Sequence, residues 1–249
     1  MHGESRRTVS IFTRRNMSAQ LTVYFAAALF SARETLFNRL LCTKLEARGH
    51  KILLPQRDGF EFGQLLQILQ KYLSPEDSSD AMKVVIYLLD IGIFVWDSHI
   101  ILANFDEPID EGVVTEVVLG KELGKYILGY RTDIRSPYGE LHDPLRGMHF
   151  FPAYQCHAIL WHPPTRGNEE LDLDRLADKL DATIETVKSF PPKDCMSSHS
   201  NHIRDIRIRA ETLFHGIPNI HSDSGIEEIV KRYLQNKPYL LEIAPLILK

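Results

Sequence analysis

Residues 106–135, with the sequence DEPIDEGVVTEVVLGKELGKYILGYRTDIR, contain the pattern that decides the fold. The apolar run 100–105 just before them is typical of a buried strand. After a loop with the helix breaker Pro108, valines recur at helical spacing, which predicts a helix over residues 112–123. Gly124 ends this helix, and residues 126–130 form the next predicted strand. Strand, helix and strand in succession indicate a parallel unit.

Asp110 and Glu116 stand at the carboxyl edge of this predicted sheet, one in the loop and one on the helix. Open α/β sheets bind small ligands at that edge. Two carboxylates near a helix N-terminus, which favours their anionic form, suit acid–base or nucleophilic chemistry. The alternative is that Asp110 is only the helix N-cap and that Glu116 is only a solvated surface residue.

The 249-residue chain has the composition of an ordinary globular protein, with 44% hydrophobic and 25% charged residues. Its net charge of -4 argues against a general nucleic-acid binder, which needs a basic surface. Cys42, Cys156 and Cys195 form neither a disulfide framework nor a metal-binding motif, so a reducing compartment, the cytoplasm, is expected. The longest apolar run, 84–96, is interrupted by Asp90 and is too short to span a bilayer.

Strands and helices alternate along the rest of the chain. Further strands are predicted over residues 21–26, 51–54 and 156–161. Further helices are predicted over residues 31–49, 60–72, 84–96, 171–190 and 226–234, with loops at 55–59 and 136–148. The first of these helices begins at the N-cap Ser31, and Glu34 completes a capping box. The pattern predicts an α/β fold with a doubly wound parallel sheet of about five strands and helices on both faces.

Three segments of different character are expected. Residues 1–20 are polar and predict a flexible arm, with an organellar presequence or a true start near Met17 as alternatives. Residues 21–190 form the α/β catalytic domain. Residues 191–249 are a C-terminal helical extension, and their apolar tail, 239–248, must pack on the core or on a neighbouring subunit.

Asp90 and Tyr24 are the other two residues that stand out. Asp90 lies in a helix that is apolar nearly all round, where a lone carboxylate is costly unless it is paired. Burial raises the pKa of such a group, as a proton donor requires, although a bond to a backbone amide or an arginine is the alternative. Tyr24 lies in the first strand and needs a partner for its hydroxyl, for which a catalytic carboxylate is a candidate and simple core packing the alternative.

Other polar clusters are less specific. Four histidines, at positions 199, 202, 215 and 221, lack the spacing of a metal site. Arg131, Asp133 and Arg135 either cover a ligand at a strand end or pair with each other. The chain has no glycine-rich phosphate loop.

Five segments together resemble the nucleoside 2-deoxyribosyltransferase family. They are VYFAAALFSARE (23–34), GHKILLPQRDG (49–59), DIGI (90–93), DEGVVTE (110–116) and GKYILGYRTDIR (124–135). The resemblance implies a flavodoxin-like sheet and an enzyme that exchanges the base of 2'-deoxyribonucleosides with retention of configuration, in nucleotide salvage. It implies Glu116 as the nucleophile, Tyr24 as the group orienting it, and Asp90 and Asp110 as groups that contact the base and handle its proton.

The resemblance also sets expectations for ligands and assembly. The predicted substrate-binding residues are Phe30, Arg57, Gly112, Asp133 and Arg135. No metal and no organic cofactor are implied. Deoxyribonucleosides and free nucleobases are the expected partners, without nucleic acid or membrane, and a homo-oligomer is expected because the family completes its sites across subunits.

Two alternatives remain open. A related enzyme hydrolyses 2'-deoxynucleoside 5'-phosphates instead of transferring the sugar, and it needs phosphate donors, for which Ser31 and Arg33 are candidates. The second alternative is a non-catalytic nucleotide-binding module on the same fold, since a fold does not fix a function.

Overall fold

A computed structural model of the protein describes residues 21–165, 167–188 and 201–242. In this part of the chain, strands Thr22–Ala26 (β1), Lys51–Leu53 (β2), Ile100–Asn104 (β3), Tyr126–Arg131 (β4) and Ala158–Trp161 (β5) form one sheet. All neighbouring strands run parallel, in the order β2-β1-β3-β4-β5. This order is the flavodoxin-like one, so the predicted doubly wound sheet with C-terminal helices is confirmed.

Helices cover both faces of the sheet. Their bounds are Ala32–Glu46 (α1), Pro55–Asp58 (α2), Phe62–Leu69 (α3), Pro75–Leu89 (α4), Glu111–Glu122 (α5), Phe150–Ala153 (α6), Glu169–Lys188 (α7), Asn201–Phe214 (α8) and Asp223–Leu241 (α9). Successive strand residues face opposite layers, as the pleat requires. Val23 and Phe25 pack with α1 and α7, whereas Tyr24 and Ala26 pack with α3, α4 and α5. Tyr24 therefore points into the layer that carries the candidate carboxylates.

The predicted capping box at the start of α1 is confirmed. The Ser31 hydroxyl accepts from the Glu34 amide at 3.3 Å, and the Glu34 carboxylate accepts from the amides of Ser31 and Phe30 at 2.8 and 2.9 Å. The cap fixes the direction in which the chain leaves β1. The amides of Phe30 and Ser31 at this helix N-terminus therefore already donate to an anionic side chain.

The predicted helix over residues 84–96 is wrong in its start and in its geometry. Helix α4 begins at Pro75, after the N-cap Ser74, whose hydroxyl accepts from the Asp77 amide at 3.1 Å. Its first turns are polar and largely exposed, so the apolar run marks only its second half. After α4 the chain continues as a π-helix over Asp90–Val95, here called the π segment.

Three other predictions need correction. The loop predicted over 55–59 contains the short helix α2, because Pro55 at the first helical position favours a helical turn there. Helix α8 was not predicted, and α9 is longer than the predicted 226–234. The predicted tail 239–248 continues α9 as far as Leu241 despite Pro238, and residues 243–249 lie outside the described residues.

The C-terminal helices pack on the same layer as α3, α4 and the π segment. Ile206, Ala210 and Leu213 of α8, with Ile229 and Tyr233 of α9, join that hydrophobic core. The predicted arm 1–20 and the junction 189–200 lie outside the described residues. No helix in the described part of the chain is long and apolar enough to cross a membrane.

Candidate active site

A cleft of about 350 Å³ opens at the carboxyl ends of β1, β3 and β4, beside the point where the strand order changes direction. The loop after β1, the first turns of α1 and the loops after β3 and β4 form its walls. The polar groups that line it belong to Arg33, Glu34, Asn38, Asn104, Asp106, Glu107, Asp110, Thr132 and Arg135. The lining is predominantly acidic and amide, which suits a neutral ligand rich in hydroxyl and amine donors.

Tyr24 and Glu116 form a hydrogen-bonded pair between β1 and α5. The Tyr24 hydroxyl donates to Oε1 of Glu116 at 2.7 Å, although 92 residues separate the two. Tyr24 is fully buried and Glu116 is half-buried. The alternative of Glu116 as a solvated surface residue is therefore wrong.

Burial and neighbouring charge shape the acidity of this pair. The pKa of the Glu116 carboxyl is raised well above its usual value, chiefly because burial penalises the charged form, and the Asp90 carboxylate raises it further. The hydrogen bond from Tyr24 acts in the opposite direction, because it stabilises the carboxylate. Burial, followed by the charge of Glu116, also raises the pKa of Tyr24, so the phenol stays a hydrogen-bond donor.

Asp90 is the first residue of the π segment and lines a second cavity of about 220 Å³. Leu29 lines this second cavity, and its neighbours Ala27 and Ala28 line the cleft, so the loop after β1 borders both spaces. Burial raises the pKa of the Asp90 carboxyl to about 7. Both carboxyl groups thus have a raised pKa, and the charge of Asp90 acts on Glu116, so the two form an interacting acidic pair.

Asp110 caps α5 and also lines the cleft. Its Oδ1 accepts from the Val113 amide at 3.0 Å, so the N-cap alternative describes one of its contacts. A side chain at Gly112 would begin 2.8 Å from that same Oδ1. The glycine therefore leaves the Asp110 carboxylate room to turn between the helix amide and the cleft.

A family model described as nucleoside 2-deoxyribosyltransferase matches residues 23–182, a range that holds the sheet, the cleft and all three carboxylates. The chain belongs to the nucleoside 2-deoxyribosyltransferase family. The resemblance seen in five segments up to residue 135 is thereby confirmed, and it extends through β5 and most of α7. Helices α8 and α9 lie outside the matched range.

Comparison with solved structures gives a more distant likeness. The structure of a conserved protein from Enterococcus faecalis V583 is 16% identical to this chain, with a TM-score of 0.40. The likeness covers 65% of this chain and 99% of that chain. No curated protein sequence matches the chain significantly.

Asp133 and Arg135, predicted to bind substrate in this deoxyribosyltransferase-family chain, belong to a network between the loops after β3 and β4. The buried Arg131 donates to Asp133, whose second oxygen accepts from the Glu107 amide at 2.7 Å. Arg135 donates to the Glu107 carbonyl and also lines the cleft. Arg131, Asp133 and Arg135 thus pair with each other, which was the second of the two predicted possibilities. Arg135 also lines the cleft.

Of the five predicted substrate-binding residues only Arg135 lines a cavity; Phe30, Arg57, Gly112 and Asp133 line neither. Phe30 is 76% exposed in the loop after β1. The Arg57 guanidinium donates to Glu46 at 2.7 Å and to Asp58 at 2.9 Å, which holds it on α1 and α2. The assignment of these four residues to substrate binding stays a prediction.

Five polar residues that line the cleft were not singled out from the sequence: Asn38, Asn104, Asp106, Glu107 and Thr132. Asp106 accepts from the Thr132 amide at 2.5 Å and the Asp133 amide at 2.9 Å, which joins the loops after β3 and β4. Asn38 is almost fully buried on α1 and donates to the Ala28 carbonyl at 2.9 Å. A polar residue on the apolar face of α1, beside Leu41, was the available signal for Asn38.

Potential metal ligands do not coincide with this site. Among the described residues, His50, Asp181 and Glu185 bring three potential ligand atoms within 4.8 Å of one another. His50 precedes β2, so the group lies at the opposite edge of the parallel sheet from the cleft. Nε2 of His50 lies 2.7 Å from Oδ1 of Asp181 and ties this edge to α7.

Proposed function

We propose that the protein exchanges the base of 2'-deoxyribonucleosides through a covalent deoxyribosyl–Glu116 intermediate. The observation that carries the proposal is the Tyr24–Glu116 hydrogen bond, with Asp90 as a neighbouring acid, at the ligand-binding edge of the sheet. Family membership supports pentosyl transfer on deoxynucleosides as the reaction class. Exchange of bases is a step of nucleotide salvage, which we place in the cytoplasm.

The proposed reaction has two displacement steps at the anomeric carbon. The Glu116 carboxylate bonds to C1' as the bond from C1' to the base nitrogen breaks, and the bonding pair leaves with the base, which takes up the Asp90 proton. A second base then returns a proton to Asp90, bonds to C1' and displaces Glu116. Two inversions retain the configuration. The loop 136–148 is proposed as the lid that keeps water from the intermediate.

Tyr24 and Asp110 have supporting roles in this proposal. The Tyr24 hydroxyl holds one oxygen of Glu116 at 2.7 Å and so fixes the rotamer from which the carboxylate attacks. Asp110, at the start of α5, contacts the base from the cleft side. Two hydrogen-bonding carboxyl groups on a base favour purine and pyrimidine faces that offer N–H donors.

The contacts at the start of α1 favour a nucleoside over a 5'-nucleotide. A phosphate needs free amide donors or cations, yet the Ser31 and Phe30 amides donate to the Glu34 carboxylate. The Ser31 hydroxyl is occupied as the N-cap. Besides Arg33 and Arg135, the charged groups that line the cleft are acidic, and they repel a phosphate dianion.

A base-exchange assay tests the proposed function. Incubation with deoxyinosine and adenine is expected to yield deoxyadenosine, and 2'-deoxyinosine 5'-phosphate is expected to react far more slowly, because Glu34 occupies the amides that a phosphate requires. Chromatography measures both products. Release of hypoxanthine from the nucleotide at equal rates with and without adenine supports the hydrolase instead. Nucleoside binding without any product supports the non-catalytic module.

A homo-oligomer is proposed for the assembly, with a symmetric dimer as the minimum. Four aromatic side chains form an exposed surface beside the cleft on the loop and helix that precede β5: Tyr138, Phe150, Phe151 and Tyr154. Together with the subunit-shared sites of the family, this surface predicts self-association. Light scattering at micromolar concentration is expected to give at least twice the chain mass of 28.6 kDa. A monomer mass throughout would rule the dimer out.

A further inference from the structure

Helix α8 lies outside the residues matched by the family, yet it packs more closely on the π segment than on any other element. The π segment begins with Asp90, the proposed acid. Among the described residues, no hydrogen bond or ion pair holds the Asp90 carboxyl. The position of this carboxyl therefore depends on the backbone that carries it, and that backbone packs on α8, α4 and α5, with α8 making the most extensive contact.

One of the contacts with α8 is between Gly92 and Ala210. A side chain at Gly92 would begin 2.4 Å from Cβ of Ala210 and 3.1 Å from the Ile206 carbonyl. Gly92 is buried, so α8 approaches the π segment to a distance that only a residue without a side chain permits.

Arg207 makes the polar contact between the same two elements. Its Nη1 donates to the Gly92 carbonyl at 3.0 Å and to Oδ1 of Asp97 at 2.9 Å. Its Nε donates to Glu211 on its own helix at 2.8 Å, and the guanidinium lies 5.7 Å from the centre of the Trp96 ring. The Arg207 side chain thus contacts the π segment at Gly92 and the two residues just after it, Trp96 and Asp97.

We propose that α8 sets the geometry of the π segment and thereby places the Asp90 carboxyl, with Arg207 as the positioning residue. π-helical turns are rare, and they occur frequently at functional sites. Asp90 is the first residue of the π segment, so the contacts that hold Gly92 and the residues after it fix where the wider turn begins and thus the backbone that carries the Asp90 carboxyl. The C-terminal extension would then act as a built-in support for the acid. This inference rests on the proposed function.

A double-mutant cycle tests it in the full-length chain. Arg207→Met is expected to lower kcat for deoxyinosine–adenine exchange on the order of tenfold, because small displacements of a catalytic group cost that much or more. In the Asp90→Asn background the same change is expected to lower kcat less than about twofold, since the group that Arg207 positions is already disabled. Arg204→Met, an exposed arginine on the same helix, is the matched control and is expected to match the wild type.

A merely structural role gives a different pattern. If Arg207→Met lowers kcat by the same factor with and without Asp90, Arg207 does not act through Asp90 and the inference is wrong. Thermal unfolding followed by circular dichroism confirms that each variant is folded. Gly92→Ala provides a second test of the contact between the π segment and α8: its loss of kcat should be partly restored by Ala210→Gly, which makes room for the new methyl group. If Ala210→Gly fails to restore kcat although the single and the double variant are both folded, the inference is also wrong. An unmodified protein without transferase or hydrolase activity overturns the proposed function itself, and this inference with it.

Discussion

Glu116→Ala is expected to abolish base exchange, with a loss of roughly four to six orders of magnitude in kcat, as for other enzymes that lose their nucleophile. The physical reason is that Glu116, on α5, is the carboxylate that the Tyr24 hydroxyl holds, and among the described residues no second carboxylate accepts from Tyr24. A 2-fluorinated arabinosyl nucleoside should leave its sugar on the protein, because fluorine destabilises the charged transition states and slows release. Peptide mass spectrometry is expected to place this adduct on Glu116.

Two controls accompany this experiment. Glu122→Ala removes an exposed glutamate from the same helix and should leave kcat unchanged. Tyr24→Phe removes the hydrogen bond but not the nucleophile, so a loss of about ten- to a hundredfold is expected, the value of one hydrogen bond to a charged group. An adduct on another residue, or full activity in Glu116→Ala, rules out the nucleophile assignment.

The central strands β1, β3 and β4 were predictable because they are buried on both faces. Apolar runs such as 100–105 are short, rich in branched residues and bounded by turn residues, so length and composition identify them. The Ser31–Glu34 capping box was equally readable, since it is a contact between residues three positions apart. Local chemistry decides both features.

Helices with polar surroundings were harder to predict. The first turns of α4 carry charged residues that face solvent, and only the N-cap Ser74 and Pro75 mark the start. Helix α8 is rich in arginine, yet Ile203, Ile206 and Ala210 recur at helical spacing and are buried, which was a usable signal. The π segment had no such signal, because its geometry depends on a contact with Ala210, more than a hundred residues away.

The candidate site shows the same division between local and long-range information. Tyr24 was marked by its place in the first strand, Asp90 by its apolar helix and Glu116 by the helix at the sheet edge, and the fold brings the three together. The sequence could not show that the Arg57 guanidinium is held by Glu46, because that contact depends on how α1 and α2 pack. Charged residues therefore need the structure before they can be assigned to a ligand or to each other.

Asp90→Asn is expected to slow base exchange about a hundredfold, the usual contribution of a general acid, because asparagine keeps the shape but supplies no proton. The pH dependence provides a second measurement. With a pKa of about 7, Asp90 loses its proton as the pH rises through 7, so the wild-type rate should fall there. The raised pKa of the Glu116 carboxyl, which must ionise to attack, limits the rate on the acid side. The decline as the pH rises through 7 should be absent from the pH–rate profile of the variant. Asp80→Asn, exposed on α4, is the matched control.

Stability separates an acid from a structural residue. The pKa of Asp90 is about 7 in the folded protein and about 3.9 in an unfolded chain, so the folded state binds this proton more tightly. That contribution to stability is complete below the unfolded value and is lost as the pH rises through 7. Asparagine does not ionise, so Asp90→Asn should lose less stability than the wild type between pH 5 and pH 8, as measured by urea unfolding. Normal turnover at every pH, together with a destabilised fold, would instead make Asp90 structural.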